Sequence, residues 1–310
     1  MITTKPITVT SGMITSSTVA YPDTGETLWS GVVTYTSGAT VSYAINGVFH
    51  RFQSKQAGNL EHTPVAYPDD ATNAWWIDMG YVNKLAAFQL DRNTQTITTS
   101  PYTVRINPGQ RIGVIGVGNV EADTVTVNVY NSAAELIYTK TDSLLTRSVY
   151  DWYSWTYAAF TQLKSNLFIN LPLNSTHTFE LSFAKASGQV KVGFIVPGMP
   201  LDIGKALMGG TGVRMLNFSV FERDEFGEVK VTVRRNIDKV NYQLMIESAR
   251  LNAVRHMLAD LNGVVTMWAG IENSDHPYFE NVFTIGMYKD FGNTIEQSNF
   301  VQADIEIEAV

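Results

Sequence analysis

The segment Thr124 to Tyr130 alternates without a break: Val125, Val127 and Val129 fall on one face, Thr124, Thr126 and Asn128 on the other. Successive side chains on an extended chain point to opposite faces, so this spacing predicts a strand with one buried and one wet face. Similar short segments recur between residues 81 and 200: Ala86 to Leu90, Tyr102 to Ile106, Arg111 to Val117, Leu136 to Thr139, Leu167 to Leu171, Thr178 to Phe183 and Val190 to Val196. Turn residues such as Pro108-Gly109-Gln110 separate them at intervals of roughly ten residues, the spacing of a sandwich or barrel. The chain is therefore expected to be mainly β.

Composition narrows the classes. Only 16% of residues are charged, below the usual quarter of a globular chain. The net charge of −7 and the lack of a dense basic run deny the chain the electrostatic footprint of nucleic-acid binding. Absence of cysteine excludes disulfides and thiolate metal sites. No apolar run reaches the length of about 18 residues needed for a membrane helix, so no membrane insertion is expected. No apolar stretch near Met1 reads as a signal peptide. A Thr-rich, aromatic-rich, weakly charged chain suits extracellular or virion β proteins. Manufacture in a host cytoplasm and release by lysis, as part of a virus particle, would explain the missing signal.

Four segments are expected. Residues 1–25 read as an N-terminal arm or a first strand pair, and Val19-Ala20-Tyr21-Pro22-Asp23 recurs as Val65-Ala66-Tyr67-Pro68-Asp69. Residues 26–80 read as a small β module. Its strands are Val32 to Tyr35, Thr40 to Ala44 and Val48 to Gln53, with Asn46-Gly47 as a two-residue hairpin turn. Residues 81–200 are the sandwich. After a glycine-rich junction at 197–215, read as a flexible or positive-φ connection, residues 201–310 form an α+β unit. Its principal helix runs to Leu261 with Ser248 as the N-cap. Leu251, Val254, Met257, Leu258 and Leu261 line one face at helical spacing, and Asn262-Gly263 ends it. Strands are expected at Ser219 to Glu222, Val229 to Arg234, Val240 to Ile246, Val264 to Trp268, Val282 to Tyr288, Thr294 to Glu296 and Val301 to Glu308.

The order Trp29, Tyr35-Thr36-Ser37-Gly38, Val41, Asn46-Gly47, Phe49, Gly58-Asn59, Pro64 and Trp75-Trp76 resembles the small chitin-binding type of carbohydrate-binding module. That resemblance implies a glycan platform and makes Trp29, Phe49, Trp75 and Trp76 candidate contact residues. Gln53-Ser54-Lys55-Gln56 stands where the family usually adds an aromatic to the platform, so structural packing is the competing role. On the packing role, Trp75→Ala is expected to cost roughly 3–5 kcal/mol. Trp76-Ile77-Asp78-Met79-Gly80 followed by Leu85 to Phe88 resembles the opening of galactose-binding-like jelly rolls, with Asp78 either a calcium ligand or a capping acceptor. A second aromatic stretch, Tyr150-Asp151-Trp152-Tyr153-Ser154-Trp155-Thr156-Tyr157, puts five aromatics in eight residues. It reads as a loop that packs on another protein or stacks on a ligand, with Tyr150, Trp152, Tyr153 and Trp155 as candidates.

A third likeness covers the C-terminal unit. The helix carrying Ala253-Val254 and Leu258-Ala259-Asp260-Leu261-Asn262-Gly263 is followed by Met267-Trp268-Ala269-Gly270. Gly286-Met287-Tyr288-Lys289-Asp290-Phe291 and Ile305-Glu306-Ile307-Glu308 complete the order. This resembles the C-terminal region of tailed-bacteriophage proteins from tail or baseplate clusters, which also carry a module like 26–80 and a Trp-Trp-x-Asp-x-Gly-like junction. The resemblance implies a virion structural role in the phage tail, with other tail or baseplate proteins as partners. Homo-oligomerisation and contact with host-surface glycan are further expectations, and no cofactor is implied.

His50, His62, His177, His256 and His276 form no paired metal-ligand motif. The adjacent carboxylates Asp69-Asp70 and Asp224-Glu225 do not indicate two acids facing one sugar bond. No Gly-x-Ser-x-Gly elbow occurs. A non-enzymatic protein is expected, with a carbohydrate-binding adhesin and a polysaccharide-degrading enzyme as the alternatives.

Overall fold

The computed structural model describes residues 1–68, 72–223, 225–295 and 299–310. Asp69, Asp70, Asp224 and Glu296 from the readings above lie outside the described residues. The chain is mainly β and forms two compact units, one of residues 7–198 and one of residues 1–6 with 199–310.

The alternating segment does what its period demands. Thr124–Tyr130 is a strand in a five-stranded sheet ordered Leu136–Ser143, Thr124–Tyr130, Thr178–Ala184, Tyr102–Ile106, Ile14–Ser17. Its pairings are antiparallel, with Val127 opposite Leu181 and Leu181 opposite Val104. Asn166–Phe168, Val114–Glu121 and the first part of Gln189–Asp202 form the facing layer, with Thr96–Thr99 beside the last. Val125, Val127, Val129, Phe179, Leu181 and Phe183 meet Ile115, Val117, Val120, Phe168 and Val192 in one buried cluster. Two inner faces sharing a core in this way make a β-sandwich.

Residues 26–80 lie in the same unit and carry a sheet of their own, Thr40–Ile45, Val48–Ser54 and Trp76–Tyr81. Ile45 pairs with Val48 across Asn46-Gly47, and both turn residues have positive φ, 52° and 80°. Asparagine and glycine tolerate that conformation, which two-residue hairpin turns require. The strand expected at Val32 to Tyr35 is absent: the segment is turn and bend, with one bridge from Tyr35 to Asn59. Tyr35 instead turns its hydroxyl back to accept from the Ser30 amide at 2.8 Å.

In the other unit one sheet runs from the end of Gln189–Asp202 through Ile2–Pro6, Thr266–Ala269, Phe283–Thr294, Phe300–Ala309 and Asn236–Glu247 to Lys205–Asn217. Part of the expected 1–25 arm thus belongs here: Ile2 pairs with Ala269 and Thr3 with Trp268. The helix spans Leu251–Asp260 and buries Val254 and Leu258, which join Leu261, Tyr242, Leu244, Trp268, Ile305 and Ile307 in the core. Ser248 is not its cap; a 3-10 turn over Ser248–Arg250 precedes it and Arg250 occupies the N-cap without a side-chain bond. The glycine-rich stretch read as a connection is strand, Lys205–Asn217. A register shift between Leu207 and Gly212 absorbs the glycines as a bulge, with Gly210 at φ +115°.

Candidate interaction site

Two aromatic groups were expected to make contacts, and the fold treats them differently. In the module, Asn73 Oδ1 accepts from the amides of Trp75 and Trp76 at 2.8 and 3.1 Å. This turn sets the start of Trp76–Tyr81, whose side chains then alternate inward and outward. Trp76 points inward. It is fully buried beside Val41 and Phe52, and its Nε1 donates to the His62 carbonyl at 2.6 Å. Tyr35 meets its ring edge-on at 5.3 Å. Trp76 is therefore core, with its polar handle satisfied, and presents no face to a sugar.

Phe49 is half-buried against the sandwich core, 4.5 Å from the ring of Tyr21. Trp29 and Trp75 are also half-buried, Trp29 edge-on to Tyr43 at 5.4 Å and Trp75 stacked on His62 at 3.8 Å. Of the four module candidates, Trp29, Phe49 and Trp75 each keep a partner ring and some access to solvent, and Trp29 and Trp75 have that partner within residues 26–80.

Asp78 points inward next to Trp76. Its oxygens accept from the Tyr67 amide at 3.0 Å and the Gly80 amide at 2.8 Å, and Oδ2 lies 3.1 Å from His50 Nδ1. Arg92 stands 3.8 Å away and donates to the Asp78 carbonyl at 2.9 Å. Burial alone would raise the carboxyl pKa. The bonds from His50, Tyr67 and Gly80 outweigh it and hold the group below the ordinary carboxylate value. Of the two roles open to Asp78, acceptor inside the fold is the one its geometry displays. Its partners His50 and Arg92 lie 28 and 14 residues away and carry no local signal in the sequence.

A second network of this kind sits on the outer face of the sandwich. Glu180 accepts from Arg105 at 2.6 and 3.0 Å, from Tyr130 at 3.1 Å and from Asn128 at 3.2 Å. The Arg105 guanidinium also lies 4.3 Å from the Tyr130 ring. The carboxylate is spent on structure, not held ready as an acid.

The second aromatic group is built for display. Leu145–Thr146 and Thr161–Gln162 pair as a short ribbon, and between them the expected loop contains a six-residue helix, Trp152–Tyr157. Asp151 caps it: Oδ1 accepts the Ser154 amide at 2.6 Å, while Ser154 Oγ accepts the Asp151 amide at 3.0 Å. That reciprocal capping box satisfies two orphan amides at once. The Ser154 bonds hold the Asp151 carboxyl below its ordinary range. Helical spacing then pairs the rings. Trp152 stacks on Trp155 at 5.1 Å, and Tyr153 meets Tyr157 at 5.0 Å. All four candidates are uncovered: Tyr150 is 85% exposed, Trp152 79%, Tyr153 72% and Trp155 52%. Phe160, in the same segment, is also exposed, with the Arg147 guanidinium 5.1 Å from its ring.

No family, curated protein or solved structure matches the chain.

Proposed function

We propose that this chain is a structural component of a bacteriophage tail or baseplate that works by presenting contact surfaces to other proteins of the particle. The observation that carries the reading is the aromatic tip of residues 149–160. A group of uncovered aromatic side chains displayed on a capped helix is the mark of a contact site. The three-part resemblance in the sequence supplies the phage context. Protein contact is preferred over glycan stacking at this tip for a specific reason. The polar groups that would read sugar hydroxyls, Asp151 and Ser154, are already bonded to each other. Glycan contact is the second reading, favoured by Trp29 and Trp75, whose rings keep some access in the module.

The test is the composition of purified phage particles from cells that make this chain. Mass spectrometry should find it in stoichiometric amount, and Trp152→Ala with Trp155→Ala should yield particles that lack it. Particles that assemble and infect without the chain would sink the proposal. Loss of polysaccharide binding on Trp75→Ala, with particle content unchanged, would favour the glycan reading.

A further inference from the structure

The strands at 205–217 and 236–247 are joined by a second, smaller ribbon, Val220–Arg223 paired with Val229–Thr232. Among the described residues from 205 to 239, none is buried. Yet the ribbon is amphipathic. Register places Phe221 opposite Val231 and Arg223 opposite Val229 on one face, and Val220 opposite Thr232 and Glu222 opposite Lys230 on the other. The face bearing Phe221, Val229 and Val231 is uncovered, at 69%, 52% and 48% exposure. A two-stranded ribbon is marginal in water without a layer against its apolar face. The strand Lys205–Asn217 at its root is also the last in its sheet, so it leaves an edge open to pairing.

Charge identifies the occupant. Residues 222–230 hold four acidic and two basic side chains, a formal −2. At the root, Lys239 is taken by Glu306 at 2.8 Å. Arg214, Arg234 and Arg235 against Asp238 then leave a formal +2. The sequence of the arm is therefore acidic across 222–230 and basic at 214 and 234–235. A surface that is apolar along one face and complementary to itself when reversed fits a second copy running the opposite way. The geometry points to a twofold, self-complementary interface in which two arms lie antiparallel, apolar face to apolar face, tip against root.

This inference rests on the assembly reading, but it is tested separately from it: particle composition tests the role, and solution mass tests the arm. Light scattering and sedimentation of the whole chain should give twice its 34.3 kDa or an even multiple, with weaker association at high salt. Phe221→Asp with Val231→Asp should raise the dissociation constant at least about tenfold and leave the far-ultraviolet circular dichroism unchanged. Glu222→Lys with Glu225→Lys should also weaken the dimer, as should Arg234→Glu with Arg235→Glu. All four reversals in one chain should restore it. A wild-type chain that stays monomeric across a dilution series overturns the proposal. So does an oligomer indifferent to the apolar variants, or a fourfold reversal that fails to restore association.

Discussion

Asp78 and His50 are joined at 3.1 Å between Oδ2 and Nδ1, and this pair ties the third strand of the module to its hairpin. Because the Asp78 carboxyl titrates below its unfolded value, its contribution to stability is complete above about pH 4. It is lost as pH falls through the lower folded-state value. Thermal unfolding followed from neutral pH into the acid range should show that loss. Asp78→Asn should lower stability at neutral pH by roughly 1–3 kcal/mol and reduce the acid slope. An unchanged slope would mean that other carboxylates govern acid unfolding.

Trp76, not Trp75, bears the packing of the small domain. Trp76→Ala should destabilise the unit by roughly 3–5 kcal/mol, since a fully buried indole and its bond to the His62 carbonyl are both lost. Trp75→Ala should cost clearly less, because that ring is only half-buried. Denaturant unfolding of the two variants side by side decides the order.

At the tip the expectation is reversed. Trp152→Ala should leave stability within about 0.5 kcal/mol of the wild type, because the ring is 79% exposed. Asp151→Ala should instead melt the short helix locally. Hydrogen exchange at the Ser154 and Trp155 amides should rise, with little change in the global transition.

Gly286 is the backbone position least tolerant of a side chain. A Cβ there would run into the Glu308 carbonyl, a backbone atom of the neighbouring strand that cannot swing aside. Gly286→Ala should cost about 1–3 kcal/mol, and the variant's melting curve measures it.

The legible parts of this fold were those set by near neighbours. Asn46-Gly47 announced its hairpin because both residues must take positive φ. Val125, Val127 and Val129 announced their buried face, and Val254, Leu258 and Leu261 announced theirs on the helix. The missed parts have non-local causes. Nothing around Thr3 says that its hydroxyl donates to the Met267 carbonyl. The glycines at 209–212 read as a break because the partner strand that lets a bulge accommodate them lies some thirty residues on. At the tip, Asp151 and Ser154 had the spacing of a helix start, but five aromatics without a core-facing stripe masked it. In the module, Trp29, Phe49, Trp75 and Trp76 looked equivalent in sequence; only the strand's alternation and its packing partners separate core from rim.

Ile2–Pro6 completes a sheet whose next strand, Thr266–Ala269, leaves the ribosome some 264 residues later. At roughly 5–20 residues per second that is a delay of about 13–53 s. The sandwich unit is fully translated well before its neighbour has its strands. Ile2–Pro6 has one neighbour in the end of Gln189–Asp202 and waits for the other, Thr266–Ala269, until that later strand is made. Synthesis thus imposes an order in which the unit of residues 1–6 and 199–310 matures last.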